Sequence, residues 1–396
     1  MIRQAALYLP TADDLHTALL PVAGQPVAFR VLVYAVRAGA RSVGVPAVFR
    51  GTAVEAAIEA SARIRTATVW LDRDRLADTA TALVPVSSLT PPAALAALLA
   101  APPPAMLADA AEDGAAIVVA DARLTTALAP ALSAGTPVGH EIGHALKSRE
   151  STVVARGAWH VHVRDASTAR RAEDHLFAAL GSAIDTPLDR ALHRRLSRPV
   201  TRTAIALGIT PNQLSVGSLL VGLAAAWCFW VGTAVAAVAG LFVYVAAVVL
   251  DHADGEVARL TFAESRVGEW LDILVDTLVH ATMVVAIGVA AERMAGGGTL
   301  LGVVGALGVV ASAAVAKVWP ATGGVDSVGA ALERLGARDG FYAMLLLFIA
   351  TRALAPGALP ALMIVVALGS QAYWLTRAAY TLRARAGRRK TARRPK

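Results

Sequence analysis

Four aspartates carry the chemistry that can be read in this sequence: Asp251 and Asp254, three residues apart, and Asp272 and Asp276, four apart. Residues at these spacings share one face of a helix. Two consecutive, antiparallel helices would therefore present four carboxylates to one volume. Crowded like charges raise each other's pKa and push helices apart. Ionisable groups at membrane depth are also costly, which marks such positions as functional. Divalent cations remove both objections, because carboxylate oxygens are hard ligands suited to Mg2+ or Mn2+. Two such ions, about 3.5–4 Å apart, could clamp phosphates and stabilise charge in a phosphoryl transfer. Gly255 and Gly268 let a ligand or a neighbouring helix approach the backbone closely. Arg259 offers a fork of donors suited to phosphate oxygens. Ion pairing with Arg259, Arg266 and an upstream basic segment would account for any single aspartate. It gives no reason for four acids and two glycines in this register.

The elements that position these acids follow from hydropathy. Residues Gln213–Leu250 form a stretch of 38 without a charge, and a helix needs about 20 residues to cross the hydrocarbon core. The stretch predicts two spans with a tight turn near Gly232-Thr233. Further spans are expected at Glu269–Ala291, Thr299–Val318, Gly340–Ala355 and Leu359–Ala379, six in all. Lys and Arg concentrate before the first span, between the second and third, between the fourth and fifth, and after the sixth. That distribution predicts a multi-pass protein of the cell (inner) membrane with both termini and the acidic cluster on the cytoplasmic side. Residues 1–14 lack a basic segment followed by an apolar core, so they do not read as a signal peptide.

Composition agrees. Of 396 residues, 56% are hydrophobic and 17% charged, which excludes general disorder and a purely soluble chain. A single cysteine, Cys228, excludes a disulfide scaffold. The net charge of +8 lies largely in residues 383–396, which hold eight Lys/Arg and no acid. Beside membrane spans such a tail marks the cytoplasmic face, and nucleic acid is not expected as a partner.

The whole segment resembles the signature of the CDP-alcohol phosphotransferase (CDP-alcohol phosphatidyltransferase) family: D-x-x-D-G-x-x-A-R, eight residues, G-x-x-x-D-x-x-x-D. Asp251, Asp254, Gly255, Ala258, Arg259, Gly268, Asp272 and Asp276 meet every fixed position. The resemblance implies a six-helix membrane domain over roughly residues 190–380. It implies displacement of CMP from a CDP-linked donor (CDP-diacylglycerol or a CDP-polyol) by an alcohol acceptor, with two Mg2+ or Mn2+ ions, in phospholipid or polyol-phosphate synthesis. Asp251, Asp254 and Asp272 would be metal ligands. Asp276 would bind metal and take the acceptor's hydroxyl proton. Gly255, Arg259 and Ser265 would contact the CDP moiety, with Thr210, Pro211, Asn212 and Gln213 nearby. A homodimer is also implied, and suits the Gly/Ala-rich spans.

Other polar residues of the membrane half give weaker signals. Arg338-Asp339 reads first as a flanking pair at the interface, and alternatively as facing the same cavity. Lys317 reads as a snorkelling anchor or as a holder of an acceptor phosphate. His280, one turn beyond Asp276, reads as a packed or hydrogen-bonded histidine. A membrane cation transporter using the acidic cluster is the reading of another class. It leaves the glycines and Arg259 without a use. A membrane tether would need no aspartate quartet.

The expected organisation is a cytoplasmic α/β domain over 1–165, a linker with a basic interfacial helix over 166–212, the membrane domain over 213–382 and the tail over 383–396. Strand candidates are Ser42–Phe49, Ala67–Leu71, Ala115–Ala120 and Ala158–Val163, alternating with helical stretches after Pro26 and near Val54–Ala62. Such alternation predicts a parallel, Rossmann-like sheet. Leu20-Pro21-Val22-Ala23-Gly24-Gln25-Pro26 and the elements after it resemble part of a sugar-nucleotide nucleotidyltransferase, with Asp121 at that family's metal-binding position. Some phosphotransferases of this kind carry a fused inositol-phosphate cytidylyltransferase domain that makes their own donor from CTP. Here the loop Leu9–Leu15 lacks the glycines that cradle phosphates and carries Asp13 and Asp14 in their place. The domain therefore reads as degenerate, with a working cytidylyltransferase using Asp121 as the alternative.

Overall fold

The first strand of the N-terminal unit, Gln4–Tyr8 (β1), is buried at every position. Such a segment belongs in the middle of a sheet covered on both faces. In this computed structural model, which describes residues 2–73, 76–107, 115–147, 152–154, 159–181, 186–318 and 338–392, the chain divides into two units, 1–180 and 181–396.

The first unit holds a seven-stranded sheet. Its strands are β1, β2 (Ser42–Val45), β3 (Thr68–Trp70), β4 (Thr81–Pro85), β5 (Ala105–Leu107), β6 (Val118–Ala120) and β7 (Thr152–Val154), in the order β7-β5-β6-β4-β1-β2-β3. β1 pairs in parallel with β2 and β4, with Ala5 opposite Val43 and Ala82. β6 runs antiparallel to both β4 and β5, so the expected all-parallel sheet is corrected to a mixed one. The reason is local: only residues 108–117 separate β5 from its neighbour β6, too short a link for a parallel crossover of about a dozen residues or more. Of the run Ala158–Val163, Ala158 lies outside the described residues. What remains is the short pairing of Val161–His162 with Ser88–Leu89.

Helix α1 (Val27–Arg37) starts after Pro26 and buries every residue from Val27 to Val36. Its Arg30 is 1% exposed. The guanidinium donates to the carbonyls of Val22 at 2.6 Å and Ala23 at 2.8 Å. It thereby pins the hairpin of Pro21–Val22 and Gln25–Pro26, whose turn residues Ala23 and Gly24 take φ of 46° and 79°. Helix α2 (Ala122–Ala134) follows β6. Helix α3 (Ala166–Ala178), expected in the linker, buries Ala169, Ala172, Leu176 and Phe177 within the first unit.

The second unit is helical. A wide π-helical turn, Asp189–His193, leads into α4 (Arg194–Ala206), and then come α5 (Pro211–Val231), α6 (Ala234–Thr261), α7 (Arg266–Ala295), α8 (Thr299–Val318), α9 (Arg338–Leu354) and α10 (Leu359–Ala392). Five of these are long and apolar enough to cross a membrane: α5, α6, α7, α8 and the 356–376 stretch. The fifth expected span corresponds to α9, which has 17 residues and includes Arg338, Asp339 and Arg352. Residues 393–396 of the expected tail lie outside the described residues.

Small residues let the helices approach. A methyl group on Gly222 would come within 2.5 Å of Val279, so α5 and α7 touch there. The core between the helices gathers Phe229, Tyr244, Met283, Ile287, Phe348 and Met363. The Phe229 and Phe348 rings meet edge to face at 5.9 Å, a favoured aromatic geometry.

Candidate active site

The turn between α6 and α7 sets the site. Phe262 closes α6 with φ of 60°, and Ser265 opens α7 by accepting a hydrogen bond from the Gly268 amide at 3.0 Å. Asp251 lies eleven residues before Phe262, and Asp276 eleven after Ser265. Asp254 lies eight before and Asp272 seven after. With equal rise per residue on the two antiparallel helices, the aspartates pair at two matching depths.

Oxygens of Asp251, Asp254 and Asp272 all lie within 4.8 Å of one another. Asp276 stands beside them, sharing with Asp251 a cavity also lined by Ser218, Tyr244 and His280. The Asp251 side chain is 10% exposed and that of Asp276 is 43% exposed, so the cluster is half-open. The donor set fits a hard divalent cation: three carboxylates converge, and their mutual repulsion calls for positive charge.

Charge comes in part from Arg338. Its Nη2 lies 2.7 Å from Asp251 Oδ2 and 3.8 Å from Asp276 Oδ2. Arg338 therefore faces the cluster. One guanidinium serves both acids because α9 begins at the depth where α6 and α7 carry them. Lys317 pairs with Glu269 and lies 4.8 Å over the Trp270 ring. His280 is hydrogen-bonded to the Tyr244 hydroxyl at 2.8 Å.

The residues expected around the donor fall into two groups. Thr210 and Gln213 cap α5 reciprocally: the Thr210 hydroxyl accepts from the Gln213 amide at 3.3 Å, and Gln213 Oε1 accepts from the Thr210 amide at 2.9 Å. Pro211 occupies the first turn, where its missing N–H costs nothing. Asn212 reaches α7 instead. A methyl group on Gly268 would meet Asn212 Oδ1 at 3.4 Å and Ser265 Oγ at 3.2 Å, so the starts of α5 and α7 meet at this glycine. A methyl on Gly255 would meet the Arg259 guanidinium at 3.3 Å. The glycine thus leaves room for Arg259 to fold along the helix.

Several residues of the site carry no recognisable signal in the sequence. Ser215 donates to Asp254 Oδ2 at 2.5 Å. Glu256, fully buried, accepts from Arg194 at 2.9 Å, Ser197 at 2.8 Å and Thr201 at 2.6 Å, which ties α4 to α6. Asp189 Oδ1 lies 2.9 Å from His193 Nδ1 and 3.1 Å from His252 Nε2. Burial alone would raise the Asp189 pKa. Hydrogen bonds from His193, His252 and the Thr186 amide, with the Arg338 charge, hold it far below the ordinary range. His252 does sit inside the motif, between Asp251 and Asp254, but nothing local points to its partner 63 residues upstream.

In the first unit, Asp121 caps α2 by accepting from the Leu124 amide at 2.8 Å. Asp14 is buried at the end of the loop after β1. It accepts from the Thr11 amide at 2.9 Å, from the Thr11 hydroxyl at 2.7 Å and from Ser87, and lies 3.0 Å from His162 Nε2. Burial raises its pKa, but the hydrogen bonds outweigh burial and leave it below the usual carboxylate value.

The second unit is similar in sequence to known proteins. Residues 208–382 match the family model described as CDP-alcohol phosphatidyltransferase. Archaetidylinositol phosphate synthase of Pyrococcus horikoshii is 36% identical over 88 residues, 22% of this chain and 45% of that protein. CDP-diacylglycerol–serine O-phosphatidyltransferase of Mycobacterium leprae is 40% identical over 82 residues, 21% of this chain and 26% of that protein. The chain spans less than half the length of these curated relatives.

Proposed function

We propose, from the premise that residues 208–382 form a CDP-alcohol phosphatidyltransferase domain, that this protein moves a substituted phosphoryl group from a CDP-alcohol to an acceptor hydroxyl and releases CMP. The observation that carries the reading is the convergence of Asp251, Asp254 and Asp272 oxygens within 4.8 Å, with Asp276 on the same cavity. These four acids would hold two divalent ions, Mg2+ or Mn2+, which when bound supply Lewis-acid neutralisation of the diphosphate charge.

The chain's own residues do the rest. The acceptor oxygen attacks the phosphorus that bears the donor alcohol, and the bond from that phosphorus to the CMP oxygen breaks. The hydroxyl proton passes to the Asp276 carboxylate, because a neutral hydroxyl is a poor nucleophile. CMP leaves with the electron pair of the broken bond. Arg259, folded over Gly255, and the adjoining helix starts at Asn212, Ser265 and Gly268 offer donors and partial positive charge to the CDP phosphates. The name of the Mycobacterium leprae relative supports CDP-diacylglycerol as donor and a phospholipid product; a CDP-polyol is the alternative donor.

In the membrane, α9 is the sixth span beside the five apolar helices, and both termini lie with the site on the cytoplasmic side of the inner membrane. The Lys/Arg distribution supports this orientation. A homodimer suits the small-residue faces of the spans. The first unit is a degenerate nucleotidyltransferase-like domain. What supports this is Asp14: the chain's own carboxylate takes the Thr11 amide, in the loop where the resemblance puts nucleotide phosphates.

The test is incubation of the purified protein with Mg2+ or Mn2+ and a panel of CDP-alcohols and acceptors, scored by CMP and product mass. One donor–acceptor pair is expected to give stoichiometric CMP and product. Cation flux into proteoliposomes, with no CMP from any pair, would favour a transporter and contradict the reading.

A further inference from the structure

Asp189, His193 and His252 bring three ligand-type atoms within 4.8 Å of one another. By spacing alone they resemble a second metal centre, but their surroundings argue otherwise. Asp189 Oδ1 already faces His193 Nδ1 at 2.9 Å and His252 Nε2 at 3.1 Å. The other His193 nitrogen is taken by the Tyr342 hydroxyl at 2.9 Å. Arg338 Nη1 lies 3.5 Å from Asp189 Oδ1 and within 3.2 Å of both His252 ring nitrogens. The His252 Nδ1 faces the Val248 carbonyl at 3.0 Å and the second Asp189 oxygen takes the Thr186 amide at 2.9 Å, so the ligand atoms of this cluster are already partnered, with a guanidinium among them. The cluster is built to seat a guanidinium.

The other terminal nitrogen of the same guanidinium reaches the carboxylate cluster. Nη2 lies 2.7 Å from Asp251 and 3.8 Å from Asp276, within the carboxylate cluster. Arg338 thus bridges two anionic seats through different nitrogens. A divalent ion held by Asp251 and this guanidinium compete for one carboxylate, and like charges at such range repel strongly. The Asp189 seat is fixed independently of Arg338, because the Thr186 amide holds its other oxygen at 2.9 Å.

We propose that Arg338 is a resident counter-cation of the carboxylate cluster, displaced when a divalent ion binds, and that Asp189 retains the guanidinium when it leaves Asp251. This rests on reading Asp251, Asp254 and Asp272 as a cation site. The affinity of that site is then set by two residues outside the aspartate motif, one on α9 and one on the turn before α4.

The experiment is Mn2+ binding to the purified full chain in detergent, followed by the spin-resonance signal of free Mn2+. Wild-type protein binds Mn2+ and Asp254→Asn loses it. That comparison tests the cation site without involving Arg338, and absence of wild-type binding sinks both readings. Arg338→Gln is expected to tighten Mn2+ binding by about tenfold, while Arg338→Lys, which keeps the charge, stays within about threefold of wild type. Asp189→Asn is expected to weaken binding by about threefold, because the arginine then stays on Asp251. The double variant Arg338→Gln/Asp189→Asn binds as Arg338→Gln alone. Unchanged or weaker binding in a monodisperse Arg338→Gln protein overturns the proposal, and so does an Asp189→Asn effect that persists without Arg338. If Arg338→Gln yields no folded protein, Asp189→Asn decides: weaker binding supports the proposal, and equal or tighter binding overturns it.

Discussion

At the scale of single residues the site depends on carboxylates and on the groups that aim them. Asp276→Asn keeps the volume and removes the proton acceptor proposed above. It is expected to lower CMP release by at least about a hundredfold, the scale of a positioned general base, while the protein still inserts and elutes as wild type. Normal turnover by the purified variant would refute the role. Ser215→Ala tests aim more gently. The Ser215 hydroxyl fixes one oxygen of Asp254, and outer partners of metal ligands are worth about 10–100-fold in affinity. The variant should need at least tenfold more Mg2+ for half-maximal CMP release, at nearly unchanged maximal rate. The aspartates were legible in the sequence because both pairs are local, three and four residues apart. Ser215 and Asp189 were not, since each meets the motif only after the chain has folded back from tens of residues away, and Arg338 was legible only as one of two alternatives.

At the scale of elements, α4 is joined to the motif helix by one buried acid. Glu256 takes three donors from α4 and is almost fully excluded from solvent. Removing one partner of a buried ion pair costs about 3–5 kcal/mol. Glu256→Ala should therefore lower the unfolding temperature in detergent clearly more than Arg195→Ala, a change on the same helix outside this network. Equal shifts would show that α4 is held by its apolar contacts. The basic residues of α4 marked it as interfacial in the sequence, but Ser197 and Thr201 form a polar inward face that hydropathy does not register. The strands show a similar limit. β2, β3 and β6 fall within predicted runs, whereas β1 and β4 do not. Their alanines carry little strand preference, and only burial on both faces makes them strands. The antiparallel entry of β6 followed from link length, which becomes informative only once the strand ends are known.

At the scale of the whole molecule, two units of different chemistry lie on one chain. The second was the more legible, because a charge-free stretch of 38 residues leaves few alternatives to membrane helices. The first has a buried acid, Asp14, whose folded pKa is held below the unfolded value of about 3.9. Such a group stabilises the fold above the unfolded pKa, and the contribution is lost as pH falls through the depressed folded value. Hydrogen exchange of β1 amides in the full chain should therefore speed up as pH drops below about 4, after correction for intrinsic rates. Asp14→Asn should already exchange faster at pH 7 and show less of this acid dependence. An identical pH profile in the two proteins would remove Asp14 from the account.

In the proposed function the carboxylate cluster of α6 and α7 works with divalent cations to displace CMP. Its most direct test is CMP release by the purified chain, supplied with a donor and an acceptor it accepts, after chelation and again after Mg2+ or Mn2+ is restored. The chelated protein is expected to release no CMP, to recover fully on re-addition, and to show no recovery as Asp254→Asn. CMP release that survives chelation, or that Asp254→Asn recovers as well as wild type, would contradict it.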